Sequence, residues 1–191
     1  MIDDGEVMTF MDKASIGIAR AGELFMLIGW IQGQMNDLNV FHKHPELVAP
    51  FVADPAVMPA DFVTLRAKGW ENHYSKTARV FVDSFGQHLE GWEIDAILQL
   101  GGYRNTIAHA HVSWGRDYLM YRPNRDLEND DAFNRTLKPG PKEESMFHPL
   151  YKLDLSSDGN YLTIFGLVKS LDERCMSKIA AGLGVSHNRI R

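Results

Sequence analysis

Apolar residues in the first hundred positions recur at alternating steps of four and three, the period of a helix that buries one face. The clearest stripe predicts a first helix over residues 12–39 and consists of Leu24, Ile28, Ile31, Met35 and Leu38. A second helix is predicted over residues 60–88, where four aromatic side chains share a face: Trp70, Tyr74, Phe81 and Phe85. We interpret this aromatic face as core, because it follows helical periodicity.

The pattern changes after a third helix, which is predicted from Trp92 to about residue 109. Four later segments have the aromatic and β-branched composition of strands: residues 112–114, 118–121, 151–155 and 161–165. Turn-forming residues at 156–160 predict a small β-hairpin over residues 150–166. The polar, proline-punctuated stretch 122–149 predicts a long mobile loop.

A closing helix is predicted over residues 168–183, with an apolar stripe of Leu171, Cys175, Met176, Ile179 and Leu183. The whole pattern predicts a mainly α protein, a helical bundle with a small β-hairpin insertion between its third and fourth main helices. The chain has 191 residues, enough for one well-filled core and few for two, so we expect a single domain over residues 1–191.

Composition and charge indicate the cellular location of the protein and the classes of ligand it can bind. The single cysteine, Cys175, excludes an internal disulfide framework and fits a reducing compartment. The N-terminus is acidic where a signal peptide would be basic, and the most apolar run, residues 24–31, is short for a membrane span. We therefore expect a cytoplasmic protein without membrane contact. A net charge of −5 argues against an extended nucleic-acid surface, but not against a small cleft that handles one phosphate.

The most specific chemistry of the chain lies in residues 103–111, Tyr-Arg-Asn-Thr-Ile-Ala-His-Ala-His. Arg104 offers a planar guanidinium that can bind a phosphate through two parallel hydrogen bonds. His109 offers an imidazole, which can accept and donate a proton near neutral pH. Asn105 follows the arginine directly. These side chains predict a catalytic site for phosphate chemistry at Arg104, Asn105 and His109.

The spacing of the motif limits how its members can meet. Five residues of a straight helix advance about 500°, which leaves Arg104 and His109 roughly 140° apart around the axis. They reach one phosphate only if the helix breaks after Asn105, or if a two-fold axis brings a second copy of the motif opposite the first. Asn105 and His109 are four apart and share a face, so the amide can orient the ring. The preceding pair Gly101-Gly102 predicts a kink or a close backbone approach.

The run of Arg104, Asn105, three small or apolar residues and His109 resembles the motif of the HEPN superfamily. In that family four to six residues separate an arginine from a histidine, and Asn, Asp or His commonly follows the arginine. The resemblance implies a four- to five-helix bundle that dimerises with both motifs facing one cleft. Many members are metal-independent endoribonucleases of toxin–antitoxin, phage-defence or RNA-processing systems. Others have lost the activity and act as binding or assembly modules.

The resemblance therefore implies an endoribonuclease that cleaves RNA and needs no cofactor and no metal. It also implies two kinds of partner: a second copy of the chain, and an antitoxin or regulatory protein. His109 would take the proton of a ribose 2′-hydroxyl, Arg104 would stabilise charge on the phosphoryl oxygens, and Asn105 would orient the histidine or the phosphate. Some family toxins carry a tyrosine, two residues after the histidine, that a partner nucleotidyltransferase modifies. Here that position is His111.

Other interpretations remain open on the sequence. An inactive HEPN-like helical dimer that binds a nucleotide or a protein is the main alternative. The pairs His42/His44 and His109/His111 could chelate zinc or iron, although no acidic or cysteine ligand lies at a matching short spacing. Glu23, beside the first apolar stripe, is a candidate partner for Arg104.

Overall fold

The computed structural model describes residues 4–54, 57–112, 119–121, 143–144 and 149–190. The chain is mainly helical, as its pattern predicts. Its helices are α1 (Asp4–Lys43), α2 (Val48–Ala53), α3 (Ala60–Trp70), α4 (Tyr74–Phe85), α5 (Gly91–His109), α6 (Asp158–Ser170), α7 (Ser177–Gly182) and α8 (His187–Ile190). Short 3-10 turns cover Pro45–Leu47 and Gly86–His88, and a π-helical segment, Leu171–Met176, joins α6 to α7.

Helix α1 confirms the first predicted helix and extends it at both ends. All five residues of its predicted stripe are fully buried. From Ile31 to Phe41 every residue is buried, including the polar ones. The one-sided pattern of a surface helix therefore ends near Ile31, and the polar side chains beyond it need partners inside the protein.

Part of α1, Lys13–Lys43, is long and apolar enough to cross a membrane by length and composition alone. The core helix of a soluble protein and a signal sequence both pass the same test, and 28% of the apolar window is buried. The expectations of no membrane contact and of a cytoplasmic location stay predictions.

The second predicted helix, 60–88, is in fact two helices, α3 and α4, separated at residues 71–73. Its aromatic face is core only in α4, where Tyr74, Phe81 and Phe85 are buried. Trp70, the last residue of α3, is 51% exposed, because the break ends the shared face at that point.

Side chains of α1 bind backbone carbonyls near the end of α3. Asn36 Nδ2 donates a hydrogen bond to the Arg66 carbonyl, and Gln32 Nε2 donates one to the Asn72 carbonyl, each at 3.0 Å. These two amides tie the end of α3 and the following turn to α1, a tertiary interaction that local periodicity does not predict.

The predicted β-hairpin over residues 150–166 is wrong in its second half, which forms the start of α6. The polar cluster taken for a hairpin turn precedes and begins that helix. Asp154 Oδ1 accepts hydrogen bonds from the backbone N–H groups of Ser156 (3.1 Å) and Ser157 (3.2 Å). Ser, Asp and Asn favour turns and helix starts for the same reason, so composition did not separate the two.

Short strands lie between α5 and α6: β1 (His111–Val112), β2 (Leu119–Tyr121), β3 (Glu143–Glu144) and β4 (Pro149–Leu153). Neighbouring strands are antiparallel, in the order β1-β2-β4-β3. Strands β2 and β4 overlap the predicted strands 118–121 and 151–155. Most of the predicted loop 122–149 lies outside the described residues, so that loop stays a prediction.

The closing helix predicted over residues 168–183 is confirmed, although the helical chain already begins with α6. Of its predicted stripe, Leu171, Cys175, Met176 and Ile179 are buried, whereas Leu183 is only half-buried. The π-helical segment also carries a buried acid, Asp172. The Asp172 carboxylate accepts a hydrogen bond from Gln34 Nε2 (2.8 Å) and lies 3.0 Å from His187 Nε2, which links α1 and α8 to this segment.

The chain divides into two compact units, each with its own core. The first unit comprises Met1–Met26 and Gln99–Gly166. Its buried side chains include Leu24, Leu100, Tyr103, Leu119, Leu155 and Ile164. The second unit comprises Leu27–Leu98 and Leu167–Arg191. Its core contains Phe41, Phe51 and Phe62, whose ring centroids lie 4.7, 4.8 and 5.0 Å apart. A single domain over residues 1–191 stays a prediction.

Candidate functional site

Helix α5 carries all three predicted catalytic residues on its C-terminal part, which belongs to the first unit. The helix begins where Glu93 Oε2 accepts a hydrogen bond from the Glu90 backbone N–H (2.7 Å), the reciprocal half of a capping box. It ends at His109. Arg104 is half-buried, whereas Asn105 and His109 are exposed. The motif therefore lies at the end of a helix that is well anchored at its start.

The helix is unbroken between the arginine and the histidine. The break after Asn105 that would let both reach one phosphate is not formed, so Arg104 and His109 leave the helix about 140° apart. Asn105 and His109 share a face, as predicted, but no hydrogen bond joins them among the residues that the structure describes. Of the two predicted routes to a joint site, only the second copy of the chain remains.

Arg104 lies against an aromatic ring. Its guanidinium carbon is 5.0 Å from the centroid of the Phe25 ring on α1, within the range of a cation–π contact. Its Nε is buried and has no hydrogen-bond partner within the described ranges, where no carboxylate forms an ion pair with it either. Phe25 therefore positions a guanidinium that pairs with no carboxylate of the described residues.

Glu23, the candidate partner of Arg104, binds another residue. Its carboxylate accepts a hydrogen bond from the Tyr161 hydroxyl on α6 (2.8 Å). Desolvation, and then the Glu23 carboxylate, raise the pKa of Tyr161, while the charge of Arg20 opposes them. Arg20 lies over the Tyr161 ring at 4.6 Å and donates a hydrogen bond to the Leu155 carbonyl (3.1 Å). Glu23 is thus part of the packing of α1 against α6.

Gly102, the second glycine before the motif, lies in open space among the described residues. A Cβ there would meet none of their atoms within 4 Å, so the predicted close backbone approach is not formed with them at Gly102. His111, two residues after His109, is exposed and pairs in register with Met120 across β1 and β2. It is not part of the α5 surface that carries the motif.

The other histidine pair has local partners. The His42 ring lies edge-on to Phe85, with centroids 4.9 Å apart, and His44 Nδ1 is 3.1 Å from Glu46 Oε1. No group of three His, Cys, Asp or Glu side chains that could hold a metal occurs in the part of the chain that the structure describes. That the reaction needs no metal and no cofactor stays a prediction.

Cys175 is fully buried. Burial raises the pKa of its thiol to about 12; the Glu93 carboxylate adds to this effect and the Lys178 ammonium opposes it. The thiolate is the reactive form of cysteine, so this environment suits a core residue and not a nucleophile.

Two contacts near the site could not be predicted from the sequence: Arg104 with Phe25, and Tyr161 with Glu23. Each joins residues that are far apart in the chain, and neither follows a local motif. The buried polar residues of α1, by contrast, could have been found in the sequence. Gln32, Asn36 and Asn39 recur at helical spacing inside an apolar stretch, which marks a polar stripe on a buried helix.

Comparison with protein-family models, curated proteins and solved structures gives no significant match for this chain. The candidate site therefore rests on the geometry of Arg104, Asn105 and His109 and on the motif that they form.

Proposed function

We propose that this protein is a HEPN-like, metal-independent endoribonuclease that acts as a homodimer, in a toxin–antitoxin or phage-defence system. One observation carries the proposal. Arg104 is held by Phe25, without a carboxylate partner among the described residues, on the helix that ends at the exposed His109. An arginine whose charge no acid neutralises is suited to an anion, and its planar fork matches a phosphate.

The proposed reaction uses the 2′-hydroxyl of RNA as its nucleophile. His109 of one protomer takes the proton from that hydroxyl, and the 2′-oxygen attacks the adjacent phosphorus. The bond from phosphorus to the 5′-oxygen breaks, and a protonated His109 of the second protomer gives its proton to the leaving oxygen. Arg104 donates hydrogen bonds to the phosphoryl oxygens as negative charge grows there. The products are a 2′,3′-cyclic phosphate and a 5′-hydroxyl.

The dimer belongs to the proposal because a single unbroken helix keeps Arg104 and His109 on different sides. A two-fold axis that faces two α5 ends would offer two arginines and two histidines to one phosphate. The first unit also exposes apolar side chains that an interface could cover, Met26 at 75% and Leu162 at 57%. Asn105, on the same face as His109, would orient the ring or bind the phosphate.

A catalytically inactive HEPN-like dimer that binds a nucleotide or a protein is the second candidate. The half-burial of Arg104 favours it, since the buried Nε fixes part of the guanidinium within the first unit. Such a protein would bind a phosphate at the motif and leave it intact.

Cleavage of a mixed RNA substrate in EDTA tests the proposal, with wild type compared with Arg104→Ala and His109→Ala. His88→Ala is the matched control, because His88 is an exposed histidine outside the motif. General acid–base catalysis contributes about 10²–10⁴-fold, so we expect His109→Ala to lose activity by at least about a hundredfold and the control to lose none. Equal cutting by all four proteins would exclude the site. RNA binding without cutting would favour the inactive dimer.

A further inference from the structure

The second unit contains a cleft of about 310 Å³ formed by the C-terminal part of α1 together with α3 and α4. This volume lies at the lower end of the range for small-molecule sites, roughly 300–1,000 Å³. All residues that line the cleft belong to the second unit, so none of them is part of the Arg104 motif.

Three lysines line this cleft, one from each helix: Lys43, Lys68 and Lys76. No carboxylate among the described residues pairs with any of them, and no Asp or Glu of that part of the chain lines the cleft. His44 also lines it, with Glu46 at its Nδ1. Three exposed lysines that line one small cleft, without acidic partners among the described residues, favour an anion of more than one charge. A phosphomonoester carries roughly −1.5 to −2 near neutral pH.

Two polar atoms in the walls of the cleft are buried without partners. Asn39 Oδ1 and Thr77 Oγ1 have no hydrogen-bond partner within the described part of the chain. Their residues are 7% and 4% exposed, and both line the cleft. A buried polar atom without a hydrogen bond costs free energy of folding, so native proteins retain few of them. Both atoms therefore point to a ligand that supplies the missing hydrogen bonds.

Two neighbours of Asn39 on α1 differ from it, because their side-chain amides have hydrogen-bond partners. Gln32 and Asn36 lie on the same buried stripe, and each binds a backbone carbonyl in or beside α3. A Cβ at Gly69 would collide with the Asn36 carboxamide, so α3 lies as close to α1 as a glycine allows. These contacts fix one wall of the cleft. Asn39 comes next on the stripe, and its Oδ1 has no hydrogen-bond donor among the described residues.

We propose that this cleft binds a phosphomonoester of ribose, as a free sugar phosphate or as a nucleotide. The phosphate lies among the three lysines, where each ammonium donates to a phosphate oxygen. A ribose hydroxyl donates to Asn39 Oδ1, and a second hydroxyl bonds Thr77 Oγ1. The apolar side chains of the lining contact the carbon atoms of the sugar; they are Val40, Leu65 and Val80.

The proposal for this cleft does not depend on the endoribonuclease activity, so either proposal can be wrong while the other holds. His109→Ala abolishes RNA cleavage in the first proposal and leaves ribose phosphate binding unchanged in the second.

The test is calorimetric titration of the full chain with ribose 5-phosphate, AMP and inorganic phosphate. The variants are Lys68→Ala, Lys76→Ala and Thr77→Val, and Lys169→Ala is the matched control because it removes an exposed lysine of the same unit that does not line the cleft. A charge-assisted hydrogen bond is among the stronger polar contacts, so we expect each cleft lysine variant to weaken ribose 5-phosphate binding about tenfold. Lys169→Ala should leave it unchanged.

Thr77→Val keeps the test independent of folding, since it preserves the shape of the side chain and removes a hydroxyl that has no hydrogen-bond partner among the described residues. We expect it to keep the melting temperature and to weaken ribose 5-phosphate binding. Tighter binding of AMP than of ribose 5-phosphate would identify a nucleotide, and equal binding a sugar phosphate. The proposal is overturned if neither binds at millimolar concentration, if the cleft variants match Lys169→Ala, or if inorganic phosphate binds as tightly and ignores Thr77→Val.

Discussion

Asp37 shows how one buried residue can set the pH response of this fold. Its side chain is 1% exposed, and its carboxylate lies 3.0 Å from Arg66 Nε. Burial raises the pKa of Asp37 to about 7, and the charge of Arg66 opposes this only in part. The folded state therefore holds a proton on Asp37 at pH values where the unfolded chain has released it.

The raised pKa of Asp37 makes the folded state less stable as the pH rises. The stabilising effect of a raised carboxyl pKa is complete below the unfolded value, near 4, and is lost as pH rises through the folded value, near 7. We expect the free energy of unfolding to fall across this window by about 1.4 kcal/mol per unit of pKa difference at most. Asp37→Asn should remove that fall, which urea titrations at successive pH values would measure. Asp83→Asn, a change at an exposed aspartate, is the control. If the free energy of unfolding changed with pH in the same way in wild type and in Asp37→Asn, the raised pKa of Asp37 would be contradicted.

Cys175 gives a second prediction at the scale of the residue. Because it is fully buried and its thiol pKa is raised to about 12, we expect it to react with a thiol reagent only when the chain opens. Labelling at pH 8 should be slow in the native protein and fast in denaturant, as followed by mass spectrometry. Immediate labelling of the native protein would show that the thiol is accessible.

The chemistry of the candidate site is visible in the sequence, and its surroundings are not. Arg104, Asn105 and His109 stand out because their types and spacing are local properties. Phe25 reaches Arg104 only through the packing of α1 on α5, and nothing near it in the chain marks it for that role. The lysine cleft is hidden for the same reason, since its cations come from three different helices.

At the scale of elements, the start of α6 is the feature that most changes the predicted fold. Asp154 Oδ1 receives three hydrogen bonds, from the backbone N–H groups of Ser156 and Ser157 and from the Ser156 hydroxyl (2.7 Å). We expect Asp154→Ala to lower the free energy of unfolding by about 0.5–1.5 kcal/mol, the net contribution of a typical hydrogen bond. Asp154→Asn keeps a side-chain oxygen and should lose less. Chemical denaturation would measure both, and equal losses would show that the oxygen does not hold this turn.

Helices with a clear apolar stripe could be predicted, and their junctions could not. The stripe from Leu24 to Leu38 and the start of α5 near Trp92 follow from periodicity alone. Amides from α1 bind carbonyls near the break between α3 and α4, and Asp154 organises a turn before α6 that composition leaves ambiguous. The apolar periodicity shows neither set of hydrogen bonds.

At the scale of the whole molecule, the account requires two copies of the chain. Light scattering should give a mass twice the 21.6 kDa of one chain at concentrations where RNA is cleaved. The cleavage rate per chain should fall on dilution into the range where monomers dominate, because one motif cannot supply both Arg104 and His109 to a phosphate. Full activity of a monomer would contradict the dimer and require another route to the site.

The chemical nature of the ends left on cleaved RNA tests the proposed endoribonuclease most directly. A defined oligonucleotide would be incubated in EDTA with wild type and with His109→Ala, and the fragments analysed by mass spectrometry. We expect a 2′,3′-cyclic phosphate on one fragment and a 5′-hydroxyl on the other, with neither formed by the variant. Fragments with a 3′-hydroxyl and a 5′-phosphate, or the same fragments from both proteins, would contradict it.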